Sequence, residues 1–155
     1  MKFRIYLAMT ALAIGPLIAT ATGAQTIDVD WARGTDFGKF HTFTWATGAY
    51  PIQDPDVSLG FARAVQDELE QKDVKLVGPA DKFDIFVTYN ARVSPDPQAS
   101  SRNLITVQVR IFNASNNNVV WRGGGYVAMA KDKEANRSNV RALLDAIFQK
   151  YPPSD

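Results

Sequence analysis

Few residues in this sequence have the type and spacing that catalysis requires. His41 is the single histidine, and it lies between aromatic residues in a segment with the pattern of a β-strand. A histidine base needs an oriented nucleophile or water, and the sequence contains no G-x-S-x-G elbow and no H-E-x-x-H helix to supply one. We therefore interpret His41 as a structural or surface residue and expect no catalytic site that depends on it.

Carboxylates are the remaining candidates for chemistry. Asp28 and Asp30 lie on one side of a predicted strand and could bind a hard cation, but no third ligand is near, which favours a solvated edge. Residues 54–58 (DPDVS) resemble the opening of a calcium loop, yet the glycine and the bidentate glutamate of such a loop are missing, so helix capping is the better interpretation. Asp84 opens a hydrophobic strand, and we expect it to accept hydrogen bonds from backbone donors at a strand or loop end.

Three consecutive glycines at 123–125 invite comparison with a phosphate-binding loop. Such a loop needs a helix start and a Lys-Ser/Thr pair directly afterwards, whereas residues 126–129 continue as a strand-like segment. We interpret the glycines as a bulge or a bend where another element packs closely. The sequence thus predicts no catalytic, cofactor-binding or metal-ligating residues.

Composition excludes several classes of protein. The chain has no cysteine, which excludes disulfides, thiolate nucleophiles, cysteine-ligated zinc and iron–sulfur clusters. It also leaves no lipobox residue, so we expect no lipid anchor attached by that route. The formal net charge is +1, and removal of Lys2 and Arg4 with a leader would bring it to about −1, which is not the charge of a nucleic-acid-binding surface.

Hydrophobic periodicity predicts a sheet and two helices that would position these residues. Alternation of apolar and polar residues indicates strands, and apolar residues repeating every three or four positions indicate amphipathic helices. The predicted strands cover residues 26–31, 40–46, 83–92, 105–111 and 119–129, with a short extended segment at 74–77. The predicted helices run from Asp54 or Asp56 to about residue 73 and within 134–150, and residues 94–101 form the most mobile loop. This order, ββαβ(β)ββα, predicts an α+β domain with a mainly antiparallel sheet of five or six strands and both helices packed on it.

The alternation also predicts which side chains are buried. In the segment 105–111, apolar residues alternate with polar ones, so one face of that strand should be buried and the other wet. The same reasoning places Trp121 in the core and Arg122 on the opposite face. Trp31, at a strand end beside loop residues, is the best candidate for an exposed aromatic side chain.

The first 24 residues have the layout of a secretory signal peptide. A short basic opening precedes an apolar run that Gly15 and Pro16 interrupt, and small residues precede Gln25. We expect cleavage after Ala24, with cleavage after Ala21 as the alternative, and a single mature domain over residues 25–155. A retained membrane helix is the other interpretation, but the run is short against the ~20 apolar residues that a span needs.

The order of motifs resembles the domain of unknown function 4136 family of exported bacterial envelope proteins, many of them described as lipoproteins. The resemblance is carried by residues 27–30 (IDVD), 36–45 (DFGKFHTFTW), 83–89 (FDIFVTY), 119–123 (VVWRG), and a last helix that ends in Ile147, Phe148, Tyr151 and Pro152. It implies a Gram-negative envelope location and an antiparallel sheet with two helices packed on it. It implies no reaction. The absence of a lipidated cysteine departs from many members and favours a soluble periplasmic protein.

These observations favour a non-enzymatic periplasmic module that binds a partner or maintains the envelope. The alternative is a periplasmic hydrolase whose carboxylates come together only in the fold. An enzyme should show a concave pocket with convergent titratable groups, whereas a binding module should show an exposed apolar patch or an open sheet edge. We expect the partner to be an envelope protein or ligand, and the chain to be a monomer or a weak oligomer.

The leader makes a direct prediction about the exported protein. Mass spectrometry of the protein recovered from the periplasm should find an N-terminus at Gln25, or at Thr22 if the earlier site is used, because signal peptidase cuts after small residues. An intact Met1 in a membrane fraction would contradict the export interpretation.

Overall fold

A six-stranded mixed sheet, covered on one side by two helices, forms the centre of the molecule. The computed structural model describes residues 26–46 and 55–153. The strands are β1 (Thr26–Trp31), β2 (Thr42–Trp45), β3 (Lys75–Leu76), β4 (Ile85–Asp96), β5 (Ala99–Asn113) and β6 (Val119–Ala128), and the helices are α1 (Pro55–Glu70) and α2 (Lys133–Phe148). The strand order is β1-β6-β5-β4-β2-β3. The predicted α+β fold is confirmed.

The sheet is mixed because one strand is followed by a helical crossover. β1, β6, β5 and β4 pair antiparallel, whereas β2 pairs parallel with both β3 and β4. After β2 the chain passes through α1 before it returns as β3, and a crossover of this kind produces parallel neighbours. The expectation of a mainly antiparallel sheet therefore holds for four strands, and the parallel pairing at one side is the difference.

The loop predicted over residues 94–101 is instead the end of a long hairpin. β4 continues to Asp96 and β5 begins at Ala99. The buried Asp96 carboxylate accepts hydrogen bonds from the Gln98 backbone N–H (2.8 Å) and from Nε of Arg102 (2.8 Å). These bonds hold the turn, and the register shift at Pro95 and Asp96 accommodates the proline that had suggested a loop.

The glycines of β6 let α2 approach the sheet. A Cβ at Gly123 would lie 2.5 Å from Cγ2 of Ile147 in α2 and would also collide with the Trp121 ring, and one at Gly125 would lie 3.0 Å from Cδ1 of Leu143. The prediction of close packing is therefore correct. The register is unbroken at the glycines, so no bulge lies there. The irregularity between β5 and β6 lies instead at Val120 of β6, because the consecutive residues Ile111 and Phe112 pair with Trp121 and Val119.

Aromatic rings fill the space between α2 and the sheet. Trp121 is fully buried, with its ring centroid 5.4 Å from that of Phe148 and 5.3 Å from that of Tyr151. Burial raises the pKa of the Tyr151 hydroxyl. Arg122 points to the opposite side of the strand and is exposed, as predicted. Trp31, expected to be exposed, is half-buried against the core because it lies directly opposite Trp121.

Local signals define where α2 begins. The Asp132 carboxylate accepts a hydrogen bond from the Ala135 backbone N–H (2.8 Å), as an N-cap does. The Asn136 side chain accepts a hydrogen bond from the Ala130 N–H (2.7 Å) and donates one to the Ala130 C=O (2.9 Å). These bonds fix the path of the chain into α2. The capping role predicted for Asp54 or Asp56, the calcium-like segment 54–58 and the leader lie outside the described residues and side chains. Among the described helices, none is long and apolar enough to cross a membrane.

Removal of the Trp121 side chain should destabilise the protein strongly. Trp121→Ala should lower the free energy of unfolding by about 3–5 kcal/mol, because it removes a fully buried large aromatic side chain and the cavity cannot fully collapse. Urea unfolding in dilute solution measures the effect. Tyr126→Ala, on the same strand but with an exposed ring, is the matched control and should cost much less. Equal losses in the two variants would contradict the core assignment.

Candidate functional site

A shallow cleft lies where three segments meet at one end of the sheet. It has a volume of about 360 Å³ and is lined by Lys39, Phe40, Lys82, Phe83, Asp84, Asn113, Ala114 and Ser115. The short 3₁₀ turn Phe37–Lys39, the residues before β4 and the turn between β5 and β6 supply these side chains. Asp84 is the single acid among the described lining residues.

Asp84 ties the start of β2 to the start of β4. Its Oδ2 accepts hydrogen bonds from the His41 N–H (2.9 Å), the Thr42 N–H (3.0 Å) and the Thr42 hydroxyl (3.0 Å). These donors, led by the His41 N–H, lower the pKa of the Asp84 carboxyl. The prediction that Asp84 satisfies backbone donors at a strand end is confirmed, and the carboxylate is held ionised in a structural role.

His41 contributes its backbone to this arrangement. The residue is exposed and precedes β2 by one position, so its imidazole lies at the surface beside the strand end. A general base needs a partner within hydrogen-bond reach, and the bond that His41 makes with Asp84 uses the main-chain N–H.

The other polar groups of the cleft belong to two lysines, an asparagine and a serine. Lys39 Nζ lies 3.1 Å from Oδ2 of Asp36, whereas Lys82 is exposed and has no ion pair within the described part of the chain. Oδ1 of Asn113 accepts from both the N–H (2.8 Å) and the hydroxyl (2.7 Å) of Ser115. Among its described lining residues, the cleft has no second carboxylate that could work with Asp84.

A second cluster of charged residues joins the two helices. The sequence patterns did not predict it. Arg141 of α2 contacts Asp67 (3.0 Å) and Glu68 (3.5 Å) of α1, and Asp145 of its own helix (2.9 Å). Burial is the main cause that raises the pKa of the Glu68 carboxyl. The hydrogen bond and negative charge of Asp145 raise it further. The spacing of Arg141 and Asp145 is visible in the sequence as an i,i+4 pair, but their approach to α1 is a long-range contact that no local pattern reveals.

No described element covers the face of the sheet opposite the helices. Both helices pack on the side that carries Tyr89 and Trp121, and strand alternation sends intervening side chains the other way. We call this surface the open face; it carries Thr26, Asp28 and Asp30 of β1, Arg122, Gly124 and Tyr126 of β6, Thr106, Gln108, Arg110 and Phe112 of β5, and Phe86, Thr88, Asn90 and Arg92 of β4.

The open face combines charges with an aromatic pair. Phe86 and Phe112 stack on each other with ring centroids 4.7 Å apart and planes 6° apart, and both remain half-exposed. Asp30 pairs with Arg122 at 2.8 Å. Asp28, considered with Asp30 as a cation ligand, is exposed beside it, and the described residues contain no group of three His, Cys, Asp or Glu that could hold a metal ion.

Comparison with known proteins places the fold. The family model described as Domain of unknown function (DUF4136) matches residues 27–153. No curated protein sequence matches this chain.

Solved structures with similar folds include proteins from three bacteria. A PDZ domain protein from Parabacteroides distasonis has a TM-score of 0.64 at 15% identity over 86% of this chain, which spans 38% of that protein. A DUF4136 family protein from Bacteroides thetaiotaomicron has a TM-score of 0.61 at 10% identity, with 83% of this chain and 96% of that one covered. PelC from Paraburkholderia phytofirmans, crystallised as a dodecamer, has a TM-score of 0.55 at 14% identity, with 80% and 95% covered. Likeness at these identities establishes the fold alone.

The charge on Asp84 should stabilise the protein in a pH-dependent way. Asp84→Asn should lower the free energy of unfolding at pH 7 by about 1–2 kcal/mol, because hydrogen bonds to a charged acceptor are stronger than those to a neutral one. The pKa of Asp84 is lower in the folded chain than in the unfolded one, so its stabilisation is present above about pH 3.9 and disappears as the pH falls through the folded pKa. Urea unfolding at pH 7 and pH 3 measures this difference.

Asp28→Asn is the control for the Asp84 experiment. Asp28 is exposed and makes no hydrogen bond or ion pair among the described residues, so its replacement should change stability little at either pH. A loss for Asp84→Asn that is equal at pH 7 and pH 3 would contradict the role of its charge.

Proposed function

This chain belongs to the DUF4136 family, and we propose that it is an exported, non-enzymatic binding module of the bacterial cell envelope. The family description names no reaction, so the proposal about function comes from the molecule itself. Export is supported by the basic and then apolar opening of the sequence. Binding is supported by the open face.

The uncovered sheet face is the observation that carries the proposal. It extends over β4, β5 and β6, which have 12, 15 and 10 residues, and reaches β1 at the sheet edge. Small-molecule sites are usually concave pockets that enclose their ligand. A broad face that mixes arginines, aspartates, amides and stacked phenylalanines is better suited to another macromolecule than to a small substrate.

The arrangement of the acids supports binding over hydrolysis. A carboxylate hydrolase needs two acids that face one cavity with pKa values pushed apart. In the cleft, Asp84 directs its carboxylate at three donors and is kept ionised. Glu68 and Asp145 do influence each other, but they lie with Arg141 between the helices, where they hold α1 against α2.

We place the mature protein in the periplasm without a lipid anchor. The leader would direct secretion through the inner membrane, and a chain with no cysteine offers no lipobox residue for acylation. The mature domain would then meet partners as a soluble protein.

Site-specific photo-cross-linking in growing cells tests the proposed function. A photo-cross-linking phenylalanine analogue placed at Gln108, on the open face, should yield a discrete cross-linked product in the envelope fraction. The same analogue at Arg63, exposed on α1 on the other side of the molecule, is the matched control and should yield none. The difference is expected because a binding surface keeps its partner within reach of the probe.

The position dependence of the cross-link decides the outcome. Failure of the Gln108 probe to cross-link, with the protein exported and folded, would contradict the open face as a binding surface. Equal products from Gln108 and Arg63 would do so as well, because they would indicate non-specific proximity.

A further inference from the structure

We infer that the partner of the open face is a second copy of this chain, and that two copies pack face to face with β1 of each over β5 of the other. The inference rests on the proposed function, because it names the partner for the same surface. Its basis is the arrangement of charges across β1, β6 and β5.

The register of the sheet places β6 midway between an acidic strand and a basic one. Asp30, Arg122 and Arg110 form one row across β1, β6 and β5. In the next row, Asp28 and Gln108 lie on either side of Gly124. Two facing copies can be related by a two-fold axis that runs parallel to β6 in the plane midway between their sheets. This axis places β1 of each copy over β5 of the other, and each row of one copy faces the same row of the other.

The exchanged side chains are chemically matched. Each Asp30 carboxylate would face the Arg110 guanidinium of the other copy, and each Asp28 carboxylate would face the Gln108 amide. A carboxylate accepts and both partner groups donate. Because the contact is isologous, each pairing occurs twice.

A single copy leaves the charge of Arg110 uncompensated. Arg110 lies directly opposite Arg122, and like charges in that position are destabilising. Asp30 neutralises Arg122 at 2.8 Å, whereas Arg110 is exposed and has no ion pair among the described residues. Asp28 likewise has no partner there. The second copy supplies both missing partners.

The shape and size of the face fit a weak dimer. Gly124 has no side chain at the centre of the surface, so facing sheets can approach there at the usual spacing of about 10 Å. Arg122 and Tyr126 of β6 lie on the axis and face their own counterparts, and the like-charge contact between the two Arg122 side chains keeps the dimer weak. The three facing strands β1, β6 and β5, about 4.8 Å apart and at most about ten residues long at about 3.3 Å per residue, give a flat area of at most about 500 Å². This is less than the ~800 Å² per partner of a standard stable interface, so we expect dissociation at micromolar concentrations.

Sedimentation of the mature protein, residues 25–155, tests the inference. The wild-type chain should show a monomer–dimer equilibrium that weakens as salt rises from about 0.1 M to about 1 M, because the Debye length falls from about 10 Å to about 3 Å. Arg110→Glu and Asp30→Lys should each weaken the dimer at least tenfold, since each places like charges together twice. Arg63→Glu, on the helical side, should leave it unchanged.

Mixing the two charge variants makes the test independent of folding. A heterodimer of the Arg110→Glu and Asp30→Lys chains pairs Asp30 with Arg110 at one contact and lysine with glutamate at the other. The mixture should therefore form dimers that neither variant forms alone. Restored association cannot arise from misfolded chains.

Three results would overturn the inference. They are a wild-type chain that remains monomeric at concentrations up to about 1 mM, a dimer that Arg110→Glu does not weaken, and a stable oligomer larger than a dimer. If the chain is monomeric while Gln108 cross-links to a different envelope protein, the binding function stands and the dimer is wrong. If Gln108 cross-links to nothing, the binding function itself fails.

Discussion

The close approach of α2 to β6 is the constraint on which the rest of the structure depends. Gly123 and Gly125 leave the space that Ile147 and Leu143 occupy, and the buried ring of Trp121 fills the volume beside them. With α2 seated there, Arg141 reaches α1 and holds it on the same side of the sheet. Because both helices occupy one face, the other face is left to solvent or to a partner.

The acids that could most readily take part in chemistry instead make contacts that hold the fold together. Asp84 joins two parallel strands that have no tight turn between them, and its charge strengthens three hydrogen bonds at that junction. Glu68 and Asp145 sit beside Arg141 at the contact between the helices. The carboxylates of all these acids contact neighbouring donors or charges. The open face keeps its charged groups at the surface, where recognition can use them.

Sequence patterns predicted those features that depend on local periodicity. The alternation along β5 and β6 predicted which face is buried, including the opposite orientations of Trp121 and Arg122, and Asp84 was correctly interpreted as an acceptor at a strand end. The hairpin end at Asp96 was missed because prolines and serines there indicate a loop, while the bonds that hold the turn come from Arg102 and the backbone. The parallel pairing of β2, the burial of Trp31 and the Arg141 cluster depend on contacts between distant segments. Local periodicity carries no information about such contacts.

The most direct test of the open face as the working surface uses the absence of cysteine from the chain. Single cysteines introduced as Gln108→Cys and, for the helical side, Arg63→Cys can each be labelled with a maleimide without interference from native thiols. We predict that the thiol at position 108 reacts several-fold more slowly in the intact envelope than in dilute purified protein, because a partner covers it there, while the thiol at position 63 reacts equally in both. Equal labelling of position 108 in the two settings would contradict the account.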